Sequence, residues 1–408
     1  MNLSFYNNFL NNLANQESQI ATLQQQISSG STVQTAAQNP AAYETTSLAN
    51  DQINQLTNDS VTQGNIQVQL GTASGVYSSV ASLLDNVQSI VEQGLNATSN
   101  SQNLNSFAQQ VQSATQQLMS LGNTQLPDGN YLFSGTRGNI QPFQTDSNGN
   151  ISYYGDSGQS QASIDDGILA NTLVNGSALT SALAGDGTSV VTASGSNSGT
   201  GQIQQTGLNN VQQANAFQAG SNQIQVTFSN DPSGALTYTA TLSGTTTTLA
   251  QGPVNTSASG GTDLNLMGMN FQITGSPEPG DNFNITPARP QTAFSLLQQI
   301  SSALNGARAT PAQAARTNQA LNQYLAGLGQ YQQSITTAQA QNGVTLQALA
   351  NAKTNVGMQQ NAAQTTIDNA TAVNMPAAIT ALNQSMTAIE ASMKAFSEAQ
   401  SLSLFKYL

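Results

Sequence analysis

Few residues in this sequence could carry out chemistry, and the strongest candidates are two pairs of acidic side chains. Asp165 and Asp166 are adjacent, and Glu278 lies three residues before Asp281. Paired carboxylates can serve glycoside hydrolysis or hold a Ca²⁺ ion. Both pairs lie beside Gly or Pro and lack the D-x-[DN]-x-[DN]-G spacing of a calcium loop, so we interpret them as turn residues that accept local backbone N–H groups.

Other catalytic chemistry is restricted by the residue types that the chain contains. There is no His and no Cys, which excludes an imidazole base, a thiolate nucleophile and a Cys/His metal site within the chain. Lys353, Lys394 and Lys406 leave only an unusual Ser–Lys pair open, and no motif surrounds them. The Gly195–Gly201 stretch lacks the Lys-Ser/Thr ending of a phosphate-binding loop. The sequence therefore predicts no enzyme, no cofactor and no metal site.

The charge of the chain also limits its partners. It has 408 residues with 7 Lys+Arg against 19 Asp+Glu, a net charge of -12. This balance argues against nucleic acid and against an anionic membrane surface as partners. Charged residues make up only 6% of the chain, and so low a charge weakens the repulsion that opposes self-association. No run of about 18 apolar residues predicts membrane insertion, and the first ten residues do not have the pattern of a cleaved secretory signal.

The two ends of the chain carry matching apolar patterns. Steps of three and four residues between apolar positions are typical of a coiled-coil seam. Near the C-terminus these positions are Ile379, Leu382, Met386, Ile389, Met393 and Phe396. In the first 30 residues they are Phe9, Leu13, Ile20, Leu23 and Ile27. A single helix of this kind is marginal on its own, so we predict that the terminal helices pair and that these residues, with Leu404, form an assembly interface.

Between the ends, the pattern changes twice. Helical periodicity continues to about residue 126 and returns from residue 291, with Tyr324 and Tyr331 on a helical stripe that predicts a core position. The intervening stretch is rich in Gly, Ser and Thr, and its alternating runs predict β-strands. These runs are Ile151–Tyr154, Gln223–Phe228, Leu236–Leu242 and Asn270–Thr274. We expect a hairpin loop at Asn230–Gly234 and an irregular loop at Val190–Gly201.

These patterns predict an α+β fold in which long terminal α-helices pair into a coiled coil or helix bundle and a β-rich middle domain is inserted. The expected domains are an N-terminal helical arm at 1–45, two parts of a helical bundle at 46–126 and 291–369, the inserted β-rich domain at 127–290, and a C-terminal helix at 370–408 that pairs with the N-terminal arm.

Four short strings resemble the flagellin superfamily. Ile27–Gly30 with the later Asn39–Ala42 is similar to the segment after the first helix of the superfamily, and Tyr131–Thr136 is similar to its entry into the β domain. Pro279–Asp281 resembles the exit from that domain, and Ser401–Leu408 resembles the superfamily's C-terminus. Within the superfamily, the second and fourth strings are more similar to the hook–filament junction proteins than to flagellin itself.

The resemblance implies a structural subunit of the bacterial flagellum that joins the hook-associated ring to the flagellin filament. It implies four kinds of partner, namely like subunits in a ring, hook-associated protein 1 on the hook side, flagellin on the filament side and a flagellar export chaperone. It further implies an extracellular location at the hook–filament junction, reached through the flagellar secretion apparatus. Two alternatives stay open, a flagellin-type filament subunit and a secreted β-domain binding module.

Overall fold

A computed structural model of the chain describes residues 3–33, 35–96, 101–158, 160–165, 168–245, 247–255, 261–306 and 308–401. Long helices lie toward both ends and antiparallel sheets occupy the middle, which confirms the predicted α+β fold. The chain divides into two compact units. The terminal unit comprises Met1–Gln63, Ile164–Ile168 and Ala350–Leu408, and the central unit comprises Gly64–Ser163 and Leu169–Leu349.

The helices in the described residues have capping chemistry at several of their ends. They are α1 (Leu3–Ser29), α2 (Pro40–Leu95), α3 (Ser101–Gly122), α4 (Ser177–Thr180), α5 (Val211–Ala219), α6 (Ala293–Leu304), α7 (Pro311–Thr371) and α8 (Met375–Ser401). Gly30, at a φ of 71°, follows α1 and supplies the left-handed conformation that often ends a helix. The Asn39 side chain accepts a hydrogen bond from the Ala42 N–H at 3.1 Å, and Pro40 occupies the first position of α2.

The strands form small sheets of two, three or five strands. They are β1 (Phe143–Thr145), β2 (Ile151–Tyr153), β3 (Gln161–Asp165), β4 (Ile168–Asn171), β5 (Ala182–Leu183), β6 (Ser189–Ala193), β7 (Gln202–Leu208), β8 (Ile224–Asn230), β9 (Leu236–Leu242), β10 (Thr248–Pro253), β11 (Thr262–Leu266), β12 (Met269–Thr274), β13 (Asn282–Pro287) and β14 (Pro290–Gln291). A five-stranded sheet has the order β10-β9-β8-β13-β6, and a three-stranded sheet has the order β11-β12-β7.

The β8–β9 hairpin confirms the clearest strand prediction. Its register places Ile224 opposite Leu242, and Gly234 in the connecting loop has a φ of 85°. The expected loop at Val190–Gly201 is wrong in its first part, because that part belongs to β6. β6 pairs with β13, and Val191 is buried. The apolar pair Val190-Val191 is too short to show a period of two among its Ser, Thr and Gly neighbours.

The central unit contains two hydrophobic cores. The helical core is formed mainly by α2, α3, α6 and α7 and includes Tyr331, which is fully buried as its stripe predicts. The Tyr331 hydroxyl donates a hydrogen bond to the Gln291 carbonyl, so burial leaves this polar atom satisfied. Tyr324 is half-buried and packs against the same core. The β core is separate and runs from Val191 to Ile285 in sequence.

The two hydrophobic cores indicate which stretch of the chain could be removed as a β domain without loss of helical core residues. Leu132, Phe133 and Phe143 lie inside the predicted 127–290 domain but pack in the helical core. The β core begins and ends on neighbouring strands, since β6 and β13 pair and Ser189 is opposite Pro287. The boundaries 127–290 stay a prediction, and we propose 189–287 as the smallest separable β unit.

Buried glutamine side chains of α7 join this β unit to the helices. Gln319 is 2% exposed, and its Oε1 accepts from the Ile203 N–H at 2.8 Å while its Nε2 donates to the Ile203 carbonyl at 2.7 Å. The Gln323 Oε1 accepts from the Val191 N–H at 3.3 Å. These side-chain amides satisfy backbone groups as a neighbouring strand would. Because the contacts are hydrogen bonds, removal of the β unit would leave polar groups that water can solvate.

We therefore expect that replacing residues 189–287 with a Gly-Ser linker leaves the helical fold intact. The flanking Ala288 N–H already donates to the Thr188 carbonyl at 3.0 Å, so a short linker can close the gap. Far-UV circular dichroism should show a cooperative thermal transition of the remaining helices, with a Tm within about 5 °C of the full chain.

The matched control replaces residues 127–290 instead. This change also removes Leu132, Phe133 and Phe143 from the helical core, and loss of each large buried side chain costs about 2–5 kcal/mol. The helices should then melt far earlier or not fold. Equal loss of helical structure in the two deletions would contradict the smaller boundary.

Candidate assembly interface

The terminal helices α1 and α8 lie side by side in the terminal unit. Next to the end of α1, the Val373 N–H donates to the Gly30 carbonyl at 3.1 Å. Toward the other end of the pair, the rings of Phe9 and Phe396 stack with centroids 4.0 Å apart and an interplanar angle of 10°. The two helices are therefore antiparallel, and each covers one face of the other.

On α1, one face is partly covered and the rest is exposed. The predicted residues on that face are half-buried, and they are Phe9, Leu13, Ile20, Leu23 and Ile27. Gln16 occupies the intervening seam position, and its Oε1 is buried without a hydrogen-bond partner in the structure. The sequence pattern thus placed the α1 face correctly. Whether the same residues contact other subunits stays a prediction.

On α8, the six predicted residues separate into two rows. Leu382, Ile389 and Phe396 are half-buried. The residues four positions before each of them are also covered. Ala378 is buried, and Ser385 and Ser392 are half-buried. Together these positions repeat at steps of four and three, which places them on one helix face. The small residues were missed by the sequence analysis because an apolar pattern does not select serine, although their seven-residue spacing is visible in the sequence.

The second row of α8 is exposed. Ile379, Met386 and Met393 have exposed fractions of 46%, 46% and 48%. They are spaced seven residues apart, so they form a line with steps of about 10 Å along the helix. We name these three residues the α8 stripe. Regularly spaced large apolar residues open to solvent are a feature of surfaces that bind another protein.

Two further apolar residues of α1 lie toward its N-terminal end. Tyr6 and Leu10 on α1 are 44% and 42% exposed, and the Tyr6 ring lies 5.9 Å from that of Phe396. Neither was selected from the sequence, although Tyr6 is seven residues before Leu13 and shares its helix face. Leu404 lies outside the described residues.

Charge contributes little to this helix pair. In α1 the charged residue is Glu17, and in α8 the charged residues are Glu390, Lys394 and Glu398. Thr, Ser, Asn and Gln fill most other surface positions. Burial of apolar area is therefore the main attraction between α1 and α8, and it should respond weakly to salt.

One residue of each acidic pair singled out from the sequence, Asp281 or Asp165, has a structural role. Asp281 is 1% exposed, and its carboxylate accepts the backbone N–H groups of Ser198 at 2.7 Å, Gly199 at 3.1 Å and Glu278 at 3.0 Å. These bonds fix two loops together, in agreement with the turn interpretation. In the terminal unit, the Asp165 Oδ2 accepts from the Asn355 side chain at 2.9 Å. Asp166 lies outside the described residues.

The string Tyr131–Thr136 has a clear role in the central unit. Leu132 and Phe133 are each 1% exposed in the helical core. Gly135 has a φ of 67°, and a side chain there would collide with Asp156. Hydrogen bonds from the Thr136 side chain and backbone hold the pKa of the half-buried Asp156 carboxyl below its ordinary value. The string therefore forms a tight turn that anchors this region to the helices.

Two negative findings apply to the part of the chain that the structure describes. None of its helices is long and apolar enough to cross a membrane. Within the same residues, no group of three or more His, Cys, Asp or Glu side chains is placed to hold a metal ion.

Comparison with known proteins gives a family match at the N-terminal end. Residues 2–137 match the family described as the bacterial flagellin N-terminal helical region. This match confirms the resemblance to the flagellin superfamily over the region that holds the first two strings, Ile27–Ala42 and Tyr131–Thr136. A search of curated proteins found no match.

Solved structures share the fold over most of their length. Flagellar hook associated protein-3 from Legionella pneumophila has a TM-score of 0.72 and 22% identity, with coverage of 79% of this chain and 98% of that protein. The Xanthomonas campestris FlgL structure in space group H3 has a TM-score of 0.64 and 25% identity, with coverage of 73% and 94%. A third, described as the flagellar junction protein FlgL from Legionella pneumophila, has a TM-score of 0.65 and 23% identity, with coverage of 75% and 99%.

Alanine substitutions in the two rows of α8 should have different effects on α1. Phe396→Ala removes the ring that stacks on Phe9 and should weaken the α1–α8 contact by about 1–2 kcal/mol. Amide exchange across residues 3–29 should then accelerate by about 5- to 30-fold. Met393→Ala is the matched control, because Met393 belongs to the exposed row and should leave α1 unchanged. Hydrogen exchange with mass spectrometry measures both, and equal acceleration in the two variants would contradict this division of the helix.

Proposed function

We infer that this chain is a structural subunit of the bacterial flagellum of the hook–filament junction type, and we propose that it joins the hook-associated ring to the flagellin filament. The family match over residues 2–137 and the fold shared with FlgL structures support this inference. One observation carries the proposal beyond the fold, namely that the α1–α8 pair leaves the α8 stripe exposed.

The proposed mechanism follows from the limits of a two-helix contact. Each helix of a pair can cover only one face of its partner, so a second apolar row needs a further subunit to cover it. Burying a large apolar side chain completely stabilises by about 1.5–3 kcal/mol, and the stripe residues are about half-exposed. Covering all three would therefore contribute about 2–4 kcal/mol per subunit. In a closed ring each subunit makes this contact, so modest contacts add up to a stable junction.

We propose the partners accordingly. Like subunits cover the stripe around a ring, hook-associated protein 1 lies on the hook side and flagellin lies on the filament side. Before export, a flagellar export chaperone binds the chain and prevents premature association. The protein acts outside the cell at the hook–filament junction after export by the flagellar secretion apparatus. Its role is mechanical rather than catalytic, in keeping with carboxylates such as Asp281 that are engaged in holding loops.

A flagellin-type filament subunit is the second candidate. The family match supports it, because the matched region is described for flagellin. The two functions differ in what the purified chain should do alone. A filament subunit should polymerise without other proteins, whereas a junction subunit should add a limited number of copies to an existing hook end.

Met386→Asp tests the proposed interface directly. The residue is 46% exposed in the free subunit, so the aspartate stays hydrated there and the Tm should be unchanged. At a subunit contact the carboxylate would be buried without a partner, which costs several kcal/mol per copy. Cells that carry this variant should export it normally, release flagellin into the medium and fail to swim.

The matched control is Gln384→Asp, which adds the same charge at an exposed α8 position outside the stripe. It should support normal swimming. A third variant, Ile389→Asp, changes the half-buried row and should loosen α1 in the free subunit as well. Intact filaments and normal motility with Met386→Asp would reject the stripe as an assembly contact.

A further inference from the structure

The exposed methionines among the described residues lie in one part of the protein. Met358, Met375, Met386 and Met393 are 59%, 39%, 46% and 48% exposed. All four belong to the terminal unit. In the central unit, Met269 is fully buried in the β core. The full sequence has neither Cys nor Trp, so exposed thioethers are its most easily oxidised side chains.

Two of these thioethers belong to the α8 stripe. Met386 and Met393 follow Ile379 at seven-residue steps on the exposed row. The surrounding α8 surface is largely neutral, and Lys394 is its one cationic side chain within the described helix. A surface of this kind tolerates a thioether because sulfur is polarizable and apolar.

We propose that Met386 and Met393 form an oxidation site through which a peroxide blocks assembly of the free subunit. In the step, the thioether sulfur attacks one oxygen of hydrogen peroxide, an S–O bond forms, and the O–O bond breaks with its electron pair leaving on hydroxide. The hydroxide then takes the proton of the S–OH group. The sulfur loses two electrons and becomes a sulfoxide, and hydrogen peroxide is reduced to one molecule of water. The inference rests on the proposed function, because it uses the stripe as the contact between subunits.

The consequence of oxidation follows from the polarity of the product. A sulfoxide is a strong hydrogen-bond acceptor and must keep its hydration or find a donor when covered. The free subunit can hydrate the sulfoxide, so its fold should be unaffected. A neighbouring subunit would remove that water, so the oxidised subunit should fail to assemble. Subunits already assembled should be protected, since the contact covers both sulfur atoms. Methionine sulfoxide reductases reverse the change.

The first measurement concerns the free protein. The purified full chain is treated with hydrogen peroxide, and sulfoxide at each methionine is quantified by peptide mass spectrometry. Met386 and Met393 should be oxidised at least tenfold faster than Met269, while the Tm stays unchanged. Rates at the stripe as slow as at Met269 would overturn the proposal.

The second measurement concerns assembly. Treated protein is supplied to cells that lack their own copy, and restored filaments are counted by electron microscopy. Oxidised protein should restore at least fivefold fewer filaments, and reductase treatment should return the count to that of untreated protein. The double variant Met386→Leu/Met393→Leu removes both thioethers of the stripe. For this variant, the ratio of filaments restored by peroxide-treated protein to filaments restored by untreated protein should be close to one.

The control variant Met358→Leu/Met375→Leu removes the other exposed thioethers and should stay sensitive. Equal peroxide sensitivity of the two double variants would overturn the proposal, as would full activity of protein oxidised at both stripe positions. If Met386→Asp blocks assembly while the oxidised protein assembles, this inference fails and the proposed function stands. If Met386→Asp also assembles, the stripe is not the contact and the proposed function fails.

Discussion

The apolar contact between α1 and α8 brings together segments that are more than 340 residues apart, and the arrangement of the terminal unit depends on it. The contact is made by two helices with few charges, so hydrophobic burial must supply most of its stability. Each helix contributes only one face, and the contacting residues are mostly half-buried. Such a contact is strong enough to align the helices and leaves apolar area available for further association. Under the proposed function, this incompletely buried apolar area is the surface that a neighbouring subunit covers.

In the central unit, which also has few charged groups, neutral side chains hold the secondary-structure elements together by hydrogen bonds. In the part of the chain described by the structure, the recorded ion pair joins Arg137 and Asp156 at 3.7 Å, and Arg137 is largely exposed. Buried side-chain amides, rather than ion pairs, link its helices and strands. Gln319 satisfies both backbone groups of Ile203, and the Asn342 Nδ2 donates to the Leu70 carbonyl at 2.7 Å. Neutral amides avoid the large desolvation cost of a buried charge and still select one register between elements.

Sequence reasoning recovered the parts of the fold that depend on regular apolar spacing. The α1 face and the β8–β9 hairpin follow from periodicity, and the structure has both. The α8 helix was recovered only in part, because Ser385 and Ser392 lie on the face that contacts α1. Small residues there allow close approach of the helices, which hydrophobicity cannot indicate. The partners of Gln319 were also beyond sequence reasoning, since a buried glutamine resembles a solvated one until its neighbours are known.

The pairing of Ser189 with Pro287 has a consequence for how this protein can change over time. Because Ser189 and Pro287 lie opposite each other on paired strands, a domain inserted between them must meet one geometric condition. Its own first and last residues must lie close together. Domains of different size and sequence can satisfy that condition, since a longer loop adds little closure entropy. The position is therefore a natural point for insertion and exchange. It would equally accept an engineered insertion, such as an antigen or an enzyme.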